Sequence, residues 1–281
     1  MYRLRSTRTD VGSAIRAAAE RLSATSDTAR LDAELLMAHA LGVSRSDLLL
    51  RRMRDPEPDG FAALVKRRAA CEPVAHIVGQ QEFFGLEFAV TPATLIPRGD
   101  SETIVQAALD TAPPDARVLD MGTGSGALLL AFLDQRPEAD GIGIDASAAA
   151  LAIADANAER LGLTGRAQFV EASWLEPDWA GELGQFDLIL CNPPYVEEGA
   201  ELDPDVRNYE PATALFAGPD GLDDYRAIIP QLGKLLVPDG AAVLEIGASQ
   251  ADPVAMIARE SGFEVTLRRD LGSRPRAVIL T

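Results

Sequence analysis

From Pro113-Pro114 onward the chain alternates short β-prone runs with helix-length segments, and this alternation constrains its fold more than any other feature. Strands are predicted at Arg117–Met121, Gly141–Asp145, Ala167–Glu171, Phe186–Cys191 and Ala241–Ile246, with two more at Phe263–Arg268 and Arg276–Leu280. Helices are predicted between them at Ser125–Gln135, Ser147–Leu161, Leu222–Leu236 and Gln250–Ser261. Strands separated by helices cannot form hairpins, so they pair in parallel and bury both sheet faces under helices. The expected fold class is α/β, a mostly parallel sheet of seven strands, and no internal repeat is visible.

Two other regions precede it. Val11, Ile15, Ala18 and Leu22 recur at helical spacing behind a capping Asp10. Leu31, Leu35 and Ala38 do the same up to Gly42, and Phe61, Leu64, Val65 and Arg68 follow a Pro- and Asp-rich turn. Residues 1–80 therefore read as a small helical domain, in which His39 and Cys71 are packing residues. Phe83–Val90 is aromatic and contains Gly85, which predicts a hairpin within a linker spanning 81–97. The sheet domain occupies 98–281.

Composition excludes several function classes. The longest apolar run, Ala127–Leu133, has seven residues, too few to span a bilayer. Met1–Arg5 leads into no export signal, and two cysteines cannot build a disulfide framework, so a cytoplasmic protein is expected. Two histidines leave little for a zinc site or a histidine-based triad, and no metal is expected. Charge is uneven. Residues 1–80 carry 13 basic and 10 acidic side chains, the remainder 13 and 33. A sheet domain at net −20 repels polyphosphates, which disfavours a nucleic-acid substrate and favours a basic macromolecular partner.

Asp120-Met121-Gly122-Thr123-Gly124-Ser125-Gly126 joins the first sheet strand to its helix. Glycines there let backbone turn sharply and approach a ligand closely. Asp145 ends the next strand, placed to accept hydrogen bonds from both ribose hydroxyls of an adenosine. Gly122, Gly124 and Ala127 also satisfy the dinucleotide fingerprint, so the loop alone leaves open a nicotinamide cofactor, S-adenosylmethionine, or a plain turn with Asp145 capping a helix.

Asn192-Pro193-Pro194-Tyr195 narrows the choice. Two prolines fix φ twice and remove two donors, leaving carbonyl acceptors beside the Asn192 side-chain oxygen. A planar NH₂ group can donate one hydrogen to Asn192 and the other to the Pro193 carbonyl while Tyr195 lies against its plane. Held this way, a delocalised nitrogen lone pair points at a methyl donor, and positioning supplies much of the rate. The methylated nitrogen is strongly acidic and needs no strong general base. Cys191 reads as a strand-end core residue.

Taken together, these residues resemble the HemK/PrmC family of protein-glutamine methyltransferases. Phe83–Val90, Leu95-Ile96-Pro97-Arg98-Gly99-Asp100-Ser101-Glu102, the glycine loop, Asp145 and Asn192–Tyr195 follow in the family's order. Arg207–Pro211, Ala214-Leu215, Asp220–Leu222 and the closing Arg269–Arg276 are similar to its later elements. The resemblance implies a Rossmann-like S-adenosylmethionine-dependent methyltransferase, with cofactor contacts from Gly122, Thr123, Gly124, Ser125, Gly126, Asp145, Trp174 and Asn192. It implies that Asn192, Pro193, Pro194 and Tyr195 hold the glutamine of a Gly-Gly-Gln tip in class I peptide chain release factors. Pro97, Arg98 and Glu102 would wall the pocket; alternatively, Asp100 and Glu102 only favour a helix N-terminus. The helical domain would dock the protein substrate. Gly99, Ser101 and Ser173 depart from the family's usual Pro, Thr and Asp. The rivals are an amino-methyltransferase of nucleic-acid bases, a cofactor-binding module without turnover, and a nicotinamide oxidoreductase.

Overall fold

The computed structural model describes residues 9–181 and 183–281; Met1–Arg5, the segment bearing on export, lies outside them. Contacts divide the chain into two units, Met1–Gly79 with Asp203–Tyr209, and Gln80–Leu202 with Glu210–Thr281.

The first unit packs α1 (Val11–Leu22), α2 (Ala29–Leu41), α3 (Arg45–Asp47), α4 (Phe61–Ala69) and α5 (Val74–Val78), with a π-helical turn at Leu48–Arg52. Asp10 caps α1 by accepting from the Ser13 amide, as its position predicts. In α2 Ala38 is buried and Leu35 half-buried as their spacing predicts, but Leu31 is exposed, and Ala33, Leu36 and Met37 complete the buried face. The phase is set by charge pairing. Asp32 is buried because Arg68 of α4 meets it at 2.7 Å, and Glu34 because Arg30 and Arg45 flank it. His39 is exposed and Cys71 sits in a turn at positive φ, so neither is a core packing residue. The helix α9 (Pro204–Tyr209) joins this unit: Asp205 lies 3.5 Å from Arg68, and the Tyr209 hydroxyl donates to the Ala70 carbonyl.

The second unit opens with the hairpin β1 (Gln80–Phe83) and β2 (Leu86–Ala89). It belongs to this unit and is more than a linker. Phe83 and Phe88 are buried in the sheet core, and wholly buried Asn157 pairs with the Ala89 backbone while donating to the Ser125 carbonyl of the glycine loop. There follow α6 (Glu102–Thr111), β3 (Arg117–Met121), α7 (Ala127–Gln135), β4 (Asp140–Asp145), α8 (Ala148–Leu161), β5 (Ala167–Glu171) and β6 (Phe186–Cys191). The chain ends through α10 (Asp223–Leu235), β7 (Leu236–Glu245), α11 (Ala251–Glu260), β8 (Val265–Arg269) and β9 (Pro275–Leu280). The seven-stranded sheet runs β5-β4-β3-β6-β7-β9-β8, parallel except around β9.

Side chains alternate along the central strands, as a sheet buried on both faces requires. Val118, Leu188 and Leu190 pack under α6, α7 and α8, whereas Leu119, Met121, Ile189 and Cys191 pack under α10 and α11. No helix among the described residues is long and apolar enough to cross a membrane.

Candidate active site

Strand register assembles the site. Met121 pairs with Ile144 on one side and Cys191 on the other, and Cys191 pairs with Leu244. The next residues, Gly122, Asp145, Asn192 and Glu245, therefore leave the carboxyl edge of the sheet in one row. Strand order reverses at β3 and β6, so the crevice where open α/β sheets take ligands lies between the glycine loop and Asn192.

The glycine loop is held from β4. Gly122 and Thr123 amides both donate to the Ile144 carbonyl at 2.9 Å, and the Gly124 amide donates to Asp145 Oδ2 at 2.9 Å. The other Asp145 oxygen accepts from the Ser147 amide, while Ser147 itself caps α8. Asp145 is thus a brace for the loop, and the helix cap falls to Ser147. Gly122 is required twice: its φ is +72°, and a Cβ there would sit 3.2 Å from the Trp174 ring. Beneath the loop, Thr123 donates to Asp120, whose carboxyl burial pushes up to about 7. Gly143 leaves room for this arrangement, since a Cβ would meet Thr123 Oγ1 and Phe169 at 2.7 Å. Gly143→Ala should therefore destabilise the protein by about 1–3 kcal/mol through overpacking. Chemical denaturation reads this directly, and an unchanged midpoint would mean that Phe169 yields without strain.

Above the loop lies a cavity of about 860 Å³. Gly122, Thr123, Gly124, Ser125, Asp145, Trp174, Asn192 and Pro194 line it, together with Pro97 and Arg98. Gly126 stands behind it at the start of α7, and Pro193 is buried. Tyr195 opens instead on a smaller cavity of about 420 Å³, shared with Arg98, Gly99, Asp100, Glu245 and Arg276. Hydroxyl-accepting carboxylate, close-approach glycine backbone and an aromatic wall fit an adenosyl cofactor. The absence of a side chain at Gly122 leaves the room that the Trp174 ring occupies beside the loop.

Residues 113–264 match the model described as methyltransferase domain, and residues 13–79 match that of the PrmC N-terminal domain. The release factor glutamine methyltransferase of Bradyrhizobium diazoefficiens is 42% identical over 281 residues, covering 95% of this chain and 93% of its own. The protein of the same name from Geobacter sulfurreducens is 44% identical over 244 residues, covering 84% of each. This chain belongs to the release factor glutamine methyltransferase family. A Pyrococcus furiosus methyltransferase structure superposes with TM-score 0.54 at 16% identity, over 76% of this chain and 97% of that one, which shows a shared fold.

The family's recurring segments have structural reasons here. In Ile96-Pro97-Arg98, the Ile96 amide and the Arg98 guanidinium both bind buried Glu210, of the Arg207–Pro211 segment. Asp100 pairs with Arg276 at 2.8 Å and Arg274 at 3.2 Å, tying that segment to the chain's last motif. Asp100 is therefore a cross-link as well as a helix-start residue. Glu102 accepts from the Phe84 amide, so it fixes the hairpin and does not face the cavity. Ser101, in place of Thr, keeps the hydroxyl that donates to Glu245. Beside Ser173, the Trp174 indole donates to Asp224 at 2.8 Å, and Asp224 lines the large cavity with its carboxyl raised by burial. Burial raises the Cys191 thiol well above its ordinary value, so it stays protonated and is no nucleophile.

Glu210 lies in the Arg207–Pro211 segment that the resemblance includes, but the sequence gives it no role; Asp224 and Glu245 stand outside the motifs. Glu245 alone of those two carries a readable signal: a lone carboxylate closing an apolar strand, at the same end as Asp145 and Asn192.

Proposed function

We propose that this protein methylates the side-chain amide nitrogen of the glutamine in the Gly-Gly-Gln motif of class I release factors. The observation that carries the reading is the row at the sheet edge, which puts Asn192 of an Asn-Pro-Pro-Tyr turn beside a glycine loop braced by Asp145. Membership of the family supplies the substrate class, because the relatives are named for it.

S-adenosylmethionine supplies, when bound, a methyl group on a positively charged sulfur. Gly122–Gly126 offers backbone to the cofactor, Asp145 offers acceptors to its ribose hydroxyls, and Trp174 walls its adenine. Asn192 Oδ1 and the Pro193 carbonyl accept the two amide hydrogens of the substrate glutamine, and Tyr195 bounds its plane. The nitrogen so held would take the methyl group of the bound cofactor, which would leave as the neutral thioether, S-adenosylhomocysteine, and the nitrogen would release its proton to water. No base is required, since an N-protonated amide is a strong acid.

The acidic sheet domain disfavours nucleic acid as substrate and steers a basic protein toward it, an attraction that salt weakens. The helical unit docks the release factor, and the enzyme works in the cytoplasm, where its substrate is made.

Incubation with purified release factor and labelled cofactor, followed by peptide mass spectrometry, tests the reading. One methyl group is expected on the Gly-Gly-Gln glutamine. Methylated nucleic acid with no mark on the release factor would overturn it in favour of the amino-methyltransferase of bases.

A further inference from the structure

Tyr195 is gripped at both ends. Its backbone carbonyl accepts from Gln250 Nε2 at 3.0 Å, and its hydroxyl donates to Glu245 Oε1 at 3.2 Å. Glu245 is only 1% exposed, and every part of it is occupied. Its other carboxylate oxygen accepts from the Ser101 hydroxyl, and its backbone carbonyl accepts from the buried Tyr225 hydroxyl at 2.7 Å. The backbone is fixed further by pairing with Ala277 of β9. Both carboxyl oxygens are therefore hydrogen-bonded. Burial raises the Glu245 carboxyl, while Ser101, Arg276 and Tyr195 pull it back.

A buried carboxylate is costly unless it is well partnered, and this one spends a bond on a side chain that is otherwise half-exposed. The buried Ser101 hydroxyl needs one of its oxygens, but no buried group needs the other, which goes to Tyr195. The bond's effect falls on Tyr195, whose ring borders the smaller cavity that Arg98 connects to the larger one. A tyrosine held only by its backbone can swing about χ1, whereas one also held at its hydroxyl keeps its ring axis in one place.

We infer that Glu245 is a positioning residue for methyl transfer, fixing from its hydroxyl end where the ring of Tyr195 stands relative to the substrate amide. The inference rests on the reading of Asn192–Tyr195 as the amide clamp. Ser101 contributes through the same carboxylate, which accounts for a hydroxyl being kept at that position although the methyl of Thr is absent. Glu245 touches neither substrate nor cofactor, and its whole action passes through Tyr195.

The experiment compares Tyr195→Phe, Glu245→Gln and the double variant with the parental enzyme in single-turnover methylation of a release factor. Cofactor affinity by calorimetry and thermal midpoint are measured beside the rate. Tyr195→Phe removes only the anchoring oxygen and should slow transfer roughly tenfold, with KM for the release factor and cofactor affinity each within about twofold. Glu245→Gln should slow it similarly, because its amide must present NH₂ to one of two hydroxyls that now donate to a charge. The double variant should be no slower than the slower single one, since both changes break one bond. A purely structural role would lower the midpoint without this split between rate and affinities. If Glu245→Gln fails to fold, Tyr195→Phe decides alone. A parental rate in Tyr195→Phe, or single effects that multiply in the double variant, would overturn the inference. A parental enzyme that leaves the release factor unmarked would overturn the functional reading and this inference together, so the two failures are distinguishable.

Discussion

Asn192→Ala should slow methyl transfer by about a hundredfold or more, while cofactor affinity changes far less. Asn192 leaves the sheet between Gly122 and Glu245 and lines the large cavity beside the glycine loop. In the proposed clamp its amide oxygen accepts one of the two substrate hydrogens. Without it, the substrate nitrogen keeps one bond, to the Pro193 carbonyl, and rotates about it. The lone pair then spends little time aimed at the methyl group. The cofactor, in contrast, keeps Asp145, the glycine backbone and the Trp174 wall. Single-turnover methylation beside calorimetric titration separates the two quantities. A parental rate would remove the amide clamp from the mechanism. Equal losses in rate and affinity would make Asn192 chiefly a cofactor ligand.

The strands and loops that form this site were legible because their signals are local. Five apolar runs ending in Met121, Asp145, Glu171, Cys191 and near Glu245 fall within a residue of the observed strand ends. The glycine loop and the Asn-Pro-Pro-Tyr turn were readable for the same reason, since each carries its constraint within a few residues. What escaped depends on strand order and on distant pairing. Glu245 meets Ser101 across 144 residues of sequence, and Asp100 meets Arg276 across 176. Neither separation has a periodicity, so no local pattern reveals it. One end of the α2 stripe departs from its spacing for a related reason. Ala38 is buried as expected, but Leu31 is exposed while Asp32 beside it is buried against Arg68, 36 residues away in sequence. Asp203–Tyr209 shows the same limit: it follows the catalytic turn in sequence, yet it groups with the N-terminal helices through Arg68 and Ala70.

The brace seen at Asp145 changes what its removal should do. As a ribose acceptor alone, Asp145 would contribute through hydrogen bonds to a charged group, about 1.5–3 kcal/mol each in favourable settings. Here its two oxygens also hold the Gly124 and Ser147 amides at 2.9 Å. Asp145→Ala therefore removes the proposed ribose acceptor and frees the loop from its brace. Asp145→Asn separates the two effects. It keeps one acceptor oxygen for a backbone amide but loses the charge, and its NH₂ cannot accept from the other amide or a hydroxyl. The alanine variant should bind S-adenosylmethionine at least a hundredfold more weakly, roughly 3 kcal/mol. The asparagine variant should fall between it and the parent. The loop contribution is visible without cofactor, as faster hydrogen exchange at the Gly124 amide in the alanine variant. Weakened binding with unchanged exchange would assign Asp145 to the ribose alone. Unchanged affinity in both variants would remove it from the site.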